Sequence, residues 1–382
     1  EAAVRQALQD AGIEYRQVRE AYAGYVYGDS ACGQRALYEV GLTGVPIVNV
    51  NNNCATGSTA LHLARRAVES GAADCVLALG FEQMSPGPLT MHWADRPSAL
   101  ENFDGVVEQL YGHPELPLAI RYFAGAGAEH MRRYGTPLST FAKVRAKASV
   151  HAANNPLALL RKVVTADEVL ASPAIVPGVM TRLMACPPTC GAAAAVLTSR
   201  AFAERHGLRS DVRLLAQALT TDGESTFAGR SMIELLGAEM VREAARQVYE
   251  RAGIGPEDVD VCELHDCFAQ NEVLSYEALG LCGEGESARF VDEGRNTYGG
   301  SVVVNPSGGL LSKGHPLGAT GLAQCYELTH QLRGTADKRQ VPGARIALQH
   351  NVGLGGAAVV TLYARQDGAR AAPSGANTRK PQ

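Results

Sequence analysis

The sequence has no run of about 18 uninterrupted apolar residues, the length a helix needs to cross a bilayer, so no membrane span is expected. It has no Cys-x-x-Cys pair and no His/Cys cluster at metal-ligand spacing, although nine cysteines are present, so no metal is expected. Positive charge is not in excess either. The 35 basic and 39 acidic residues leave a net charge of −4, which argues against non-specific nucleic-acid binding. The first residues, Glu1-Ala-Ala-Val-Arg-Gln, carry no secretory pattern, and the last, Arg379-Lys380-Pro381-Gln382, are not a peroxisomal tripeptide. The cysteines are odd in number and scattered, several in apolar stretches such as those around Cys75 and Cys325. Free thiols, a reducing compartment and hence the cytoplasm are expected.

What is present is ordinary for a globular enzyme: 46% hydrophobic and 19% charged residues, in a chain of 382 that is long enough for two or three structural units. Two halves of the chain resemble each other three times in the same order. Ala11-Gly-Ile-Glu-Tyr-Arg-Gln-Val18 pairs with Ala252-Gly-Ile-Gly-Pro-Glu-Asp-Val259, each leading from a helix toward a strand. Cys54-Ala-Thr-Gly-Ser-Thr-Ala-Leu pairs with His315-Pro-Leu-Gly-Ala-Thr-Gly-Leu, small-residue turns that open apolar helices. The segments starting at Gly191 and Gly356 form a third pair, both apolar strands of the kind buried on two faces. The matches imply a duplicated α/β unit with an insertion inside Phe81 to Met184. That insertion holds the only tryptophan, Trp93, and helical patterns around Tyr122–Tyr134 and Leu138–Ala152. The expected organisation is a first half at 1–85 plus 186–205, an inserted loop domain at 86–185, a second half at 206–365 and a disordered tail at 366–382. Alternating strands and helices in each half predict mostly parallel, covered sheets in α/β/α layers. Packed about a pseudo-twofold, the equivalent turns would bring Cys54 and His315 to one pocket.

Four blocks carry candidate chemistry. Cys54 follows the strand pattern Pro46 to Asn51 and opens a helix, where free backbone N–H groups and the helix dipole would lower a thiol pKa and hold an oxyanion. Gly57 would let the backbone approach a ligand. The loop Asn305 to Gly321 has five glycines from Gly308 onward, a composition that serves close backbone approach to a ligand; Ser307, Gly308 and Gly309 are expected to bind substrate. His315 in that loop can act as general base to a thiol. His265 and Cys267 lie two apart at a strand-to-helix turn and share a face in extended backbone, suiting an oxyanion donor and a proton-transferring thiol. Two metal ligands without a second pair nearby make metal binding the weaker reading of that block.

Together these blocks resemble thiolases, and more closely the sterol-carrier-protein-2 branch. Asn49-Val-Asn-Asn-Asn-Cys-Ala-Thr-Gly-Ser is similar to the branch's nucleophile block, His265-Asp-Cys-Phe to its distinguishing motif, and Gly314-His-Pro-Leu-Gly-Ala-Thr-Gly to its histidine loop. Gln349-His-Asn-Val-Gly-Leu-Gly-Gly resembles its final glycine loop, where other thiolases carry a second catalytic cysteine. The resemblance runs from about Gly24 to Arg365. It implies a thiolase fold of two duplicated halves in five layers with an inserted loop domain, usually a homodimer. It implies Cys54 as acyl-accepting nucleophile and His315 as its base. His265 would hold the thioester oxygen, and Cys267 would be the second acid/base in place of the cysteine lost where His350 stands. A second oxyanion hole would come from the amides of Cys54 and the glycine loop at His350, Gly353, Gly355 and Gly356. Coenzyme A and acyl-CoA are the implied substrates, with no tightly bound cofactor.

Two departures matter. Relatives start with a strand ahead of the first helix, whereas this chain opens inside the helix, so an edge of the first sheet is expected to be missing. Cys190 stands in Cys186-Pro-Pro-Thr-Cys-Gly-Ala where the family has an acid that supports the turn. Other readings stay open. They are a thiolase-fold retro-aldolase working with a small OB-fold-type partner, a ketoacyl or hydroxymethylglutaryl-CoA synthase, and a non-catalytic acyl-CoA or lipid binder.

Overall fold

The computed structural model describes residues 1–84, 95–112 and 115–366. Trp93 and nearly all of the tail expected to be disordered lie outside the described residues. Eleven strands are described: β1 Glu20–Gly24, β2 Ile47–Val50, β3 Cys75–Glu82, β4 Ala174–Val176, β5 Met180–Thr181, β6 Gly191–Thr198, β7 Val212–Thr220, β8 Val261–Glu263, β9 Val303–Val304, β10 Ile346–Gly353 and β11 Ala357–Arg365. They form one sheet in the order β2-β1-β3-β6 and another in the order β9-β8-β10-β11-β7, with β4 and β5 a separate small hairpin. The two orders correspond strand for strand until β7, which has no counterpart among the described residues of the first sheet. In both sheets the first three strands run parallel and the fourth antiparallel.

The layers follow from strand alternation. In β3, Cys75, Leu77 and Leu79 face outward onto Val4 and Leu8 of the helix Ala2–Ala11 and Leu37 of the helix Cys32–Tyr38. Val76 and Ala78 face inward, as the two-residue period of a strand requires. Their inner partners are Ala60, Leu61 and Ala64 of the Cys54 helix (Thr56–Glu69) and Leu322, Cys325 and Leu328 of the His315 helix (Thr320–Arg333). The same inner core takes in Val261, Ala347 and Tyr363 of the second sheet. Leu348, Val360 and Leu362 on that sheet's far face meet Val241, Ala244 and Val248 of the helix Ala238–Ala252 and Val273 of the helix Ala269–Ala278. Five layers result, α/β/α/β/α, with the two middle helices shared.

The middle helices approach closely at their N-terminal ends. A Cβ at Gly57 would lie 2.7 Å from the Gly318 carbonyl oxygen, and one at Gly321 would lie 2.1 Å from Ser58 Oγ. Gly57 thus admits the other half of the molecule rather than a ligand, correcting the sequence reading.

The two halves differ between their third and fourth strands. β10 and β11 are joined by the turn 354–356, whereas β3 and β6 are separated by residues 83–190. The helices Leu118–Tyr134 and Leu138–Ala153 in that interval pack on the second half. Phe123 stacks on Phe268 at 4.7 Å between ring centroids, His130 pairs with Glu277 at 2.9 Å, and Arg145 donates to Ser312 Oγ at 2.7 Å. Tertiary contacts also overturn one expectation. β11 is buried almost throughout, but β6 is only partly covered along its length because it is a sheet edge.

Candidate active site

Cys54 lies two residues before the first turn of its helix, in a polar turn held by its own side chains. Thr56 Oγ1 accepts from the Asn52 amide at 2.9 Å and donates to the Asn53 carbonyl at 2.6 Å. Asn53 Nδ2 reaches across to the Leu354 carbonyl at 3.2 Å and ties this turn to the β10–β11 turn. The Cys54 thiol is buried and donates to Asn53 Oδ1 at 3.6 Å.

The ligand-bearing atoms of Cys54, His265 and His315 all lie within 4.8 Å of one another. The two imidazoles meet edge to face, with ring centroids 5.0 Å apart. Three turns from both halves of the chain therefore converge on one buried point.

Hydrogen-bond direction distinguishes the two histidines. Gln349 Nε2 donates to Ser58 Oγ at 2.9 Å, so the Ser58 hydroxyl donates onward to Asn351 Oδ1 at 2.8 Å. With its oxygen engaged, Asn351 turns Nδ2 to His265 Nδ1 at 2.8 Å and donates to it. Neutral His265 then carries its proton on Nε2 and can only donate there. His315 is held the other way. Thr320 Oγ1 donates to the Pro316 carbonyl at 3.0 Å and so accepts from His315 Nδ1 at 2.7 Å. His315 Nε2 keeps a lone pair, is buried and has no hydrogen-bond partner. One imidazole is thus a donor and the other a base.

Burial keeps both histidines neutral: it holds His315 down to about 3, with Lys313 adding to the effect, and holds His265 well below its ordinary value, with His315 and His350 adding. The same burial pushes the Cys54 thiol up to about 12, helped by the Glu82 charge. The expected lowering at a helix N-terminus is overridden here, because Cys54 precedes the helix and loses its water. The resting Cys54 side chain therefore keeps its proton on sulfur.

Cys54, His265 and His315 could in geometry hold a metal ion. The wiring opposes it, since the Asn351 donor bond leaves a proton rather than a lone pair on His265 Nε2.

Cys267 is buried beside this pocket, its thiol held well above the ordinary range by burial and by the charges of Cys186, Cys54 and Asp266. His350 is placed elsewhere. It belongs to β10 rather than to the glycine turn, and strand alternation sends it outward with Leu348. Its ring lines a small cavity with Asn271, Leu274 and Val352, away from Cys54. Asn351, on the inward face, occupies the place assigned to it. Gly353 ends β10 against the Cys54 turn, its Cα facing the Asn52 carbonyl, and Gly355 and Gly356 form the turn into β11.

Ser307, Gly308 and Gly309 are corrected as well. Ser307 is fully buried and gives its amide and hydroxyl to Glu263 at 3.0 and 2.8 Å. Gly308 and Gly309 press against Ala152 and the Asp266 carboxylate, so the glycines of this loop serve internal packing. Asp266 in turn accepts from the Leu310 amide at 2.7 Å, which holds the His265 block to the histidine loop.

Sequence reasoning missed Ser58, Asn351, Thr320, Thr189 and Glu82. The first three lie inside the quoted blocks, where they read only as small polar residues among glycines and alanines. Thr189 Oγ1 accepts from the His315 amide at 3.2 Å, so the supporting residue of that turn is Thr189 and not the exposed Cys190 after it. Glu82 accepts from the amides of Val26, Tyr27 and Gly318, clamping the His315 loop to the first sheet.

Residues 1–159 match the family model of the thiolase N-terminal domain, and residues 223–365 match that of the thiolase C-terminal domain-like family. The chain is 55% identical over 361 residues to sterol carrier protein 2 of Rattus norvegicus; the match covers 94% of this chain and 66% of that relative's length. It is 46% identical to non-specific lipid-transfer protein-like 2 of Caenorhabditis elegans, over 94% of this chain and 89% of that protein. Its fold is similar to the solved Ltp2-ChsH2(DUF35) aldolase, with a TM-score of 0.78 at 21% identity, over 95% of this chain and 91% of that one. Among the described residues, no helix is long and apolar enough to cross a membrane.

Proposed function

The chain belongs to the thiolase family, and from that premise we propose that it transfers acyl groups between 3-oxoacyl-CoA and coenzyme A through a thioester on Cys54. The observation that carries this reading is the pairing of one sulfur with two oppositely wired histidines. In the degradative direction, the Cys54 thiol gives its proton to His315 Nε2 as sulfur attacks the 3-oxo carbon. Collapse of the adduct breaks the C2–C3 bond and leaves the acyl group on sulfur. The electron pair passes to the departing enolate, whose thioester oxygen takes the hydrogen bond from His265 Nε2. Cys267 protonates the enolate carbon. The CoA thiol then gives its proton to the Cys267 thiolate and attacks the acyl-enzyme; the Cys54–acyl bond breaks, Cys54 recovers its proton from His315, and acyl-CoA leaves. The amides of Cys54 and of the Gly353 to Gly356 turn supply the second oxyanion hole. Coenzyme A acts as substrate, without a resident cofactor.

Similarity to a sterol carrier protein and a lipid-transfer-like protein supports a branched or sterol-like acyl chain. Free thiols throughout the described residues support a reducing, cytoplasmic setting. A homodimer through the outer edge of the first sheet is supported by the exposure of Val48 in β2 and of Tyr38 and Leu42 near it.

Cys54→Ala should abolish acyl transfer while leaving the fold intact. Intact mass after incubation with an acyl-CoA is the test, and an acyl adduct that persists in the variant would sink the assignment. Products taken over straight, 2-methyl and steroid 3-oxoacyl-CoAs define the chain preference. Ketone or aldehyde release without CoA, dependent on a small OB-fold-type partner, would instead mark a retro-aldolase.

A further inference from the structure

Cys186 lies outside every block assigned to catalysis, yet the fold sets it against Cys267. Ala185 and Phe268 form an isolated antiparallel bridge, so the next pair along it is Cys186 and Cys267. The Cys186 amide donates to the Cys267 carbonyl at 2.9 Å, which puts this pair in the hydrogen-bonded register. Directly opposed residues in that register have Cα atoms about 5.5 Å apart and side chains on the same face. That spacing falls within the roughly 4.4–6.8 Å a disulfide spans. Exposure is unequal: Cys186 is partly exposed, whereas Cys267 is buried.

We propose that Cys186 and Cys267 form a redox modification site, where a peroxide converts the two thiols to a disulfide and withdraws the Cys267 thiol from proton transfer. The Cys186 sulfur attacks one peroxide oxygen, the O–O bond breaks, and the departing oxygen leaves as water with the thiol proton. Cys267 then attacks the resulting sulfenic sulfur; an S–S bond forms, the S–O bond breaks, and a second water leaves with the other proton. Each sulfur loses one electron, and the peroxide takes up both. Burial, which keeps both thiols protonated at rest, makes the reaction slow, so the site answers excess oxidant and not trace amounts. The loss of activity rests on reading Cys267 as the second acid/base, but formation of the disulfide does not.

The test treats the whole protein with hydrogen peroxide, blocks the remaining thiols, maps linked peptides by mass, and follows turnover before and after dithiothreitol. The expected result is a Cys186–Cys267 link and an about tenfold or greater loss of turnover that dithiothreitol reverses, since a general acid/base is withdrawn. Cys186→Ser should keep basal turnover and lose the reversible inactivation. Links from Cys186 to Cys190 or from Cys54 to Cys267, or the same reversible inactivation in Cys186→Ser, would overturn the site. A Cys186–Cys267 link with unchanged turnover would uphold the site and overturn the role given to Cys267.

Discussion

The His265 and His315 turns place the same side chain beside one sulfur, with rings 5.0 Å apart, and wire it in opposite senses. At His315, the Thr320 hydroxyl accepts the hydrogen bond from Nδ1–H and leaves a bare Nε2. At His265, an asparagine from β10 donates a hydrogen bond to Nδ1, so the ring proton sits on Nε2. Burial and depressed basicity are common to both, so neither distinguishes them. The difference lies in which neutral tautomer the neighbours permit. Residue type names a histidine, but the second hydrogen bond gives it a task.

That comparison can be broken most severely at the base. His315→Ala should lower kcat/KM by about 10⁴-fold, and His265→Ala by about 10²–10³-fold, the ranges for losing a general base and an oxyanion donor. Equal losses measured by steady-state kinetics would erase the distinction.

Inverting the donor is the sharper cut. Asn351→Asp keeps the shape but offers His265 Nδ1 an acceptor, so the ring should move its proton to Nδ1 and lose the Nε2 donor. Turnover should fall about 10²-fold, and the bare Nε2 should complete a ligand set with Cys54 and His315. Zinc titration by calorimetry checks this; unchanged zinc affinity with unchanged turnover would show that Asn351 does not set the tautomer.

A smaller effect is expected at the other histidine. Thr320→Val leaves His315 Nδ1 without its partner, and one buried hydrogen bond of about 1–2 kcal/mol corresponds to about a tenfold fall in kcat/KM. The last change concerns the sulfur and leaves both histidines untouched. Because burial lifts the Cys54 thiol to about 12, its thiolate fraction should keep rising with pH. Iodoacetamide labelling of Cys54 should therefore climb about tenfold per pH unit from 7 to 9. A plateau below pH 8 would reveal a resting thiolate–imidazolium pair instead.

The strands show where sequence reading reaches its limit. Gly191 to Thr198 and Ala357 to Arg365 are largely apolar and read alike, yet β11 is buried between β10 and β7 while β6, among the described residues, pairs only with β3. An edge position depends on what lies beside a strand, and its own residues do not record that. The helices Leu118–Tyr134 and Leu138–Ala153 were legible from their periodicity, but their packing on the second half was not, because it depends on residues such as Phe268 and Ser312.

By itself the sequence determined the duplicated α/β plan, the inserted segment, and the blocks that carry Cys54, His265, Cys267 and His315. These were readable because turn chemistry and hydrophobic period are local. Only the tertiary structure decided that Asn351 and not His350 faces the pocket, that Ser307 to Gly309 are packing residues, and that Cys186 stands opposite Cys267. Each of those outcomes depends on pleat direction and on bonds between residues far apart in the chain. Ser58 with Asn351, and Asn351 with His265, are the clearest cases. Proton placement on a buried ring follows from such partners, and they meet only once both halves have folded together.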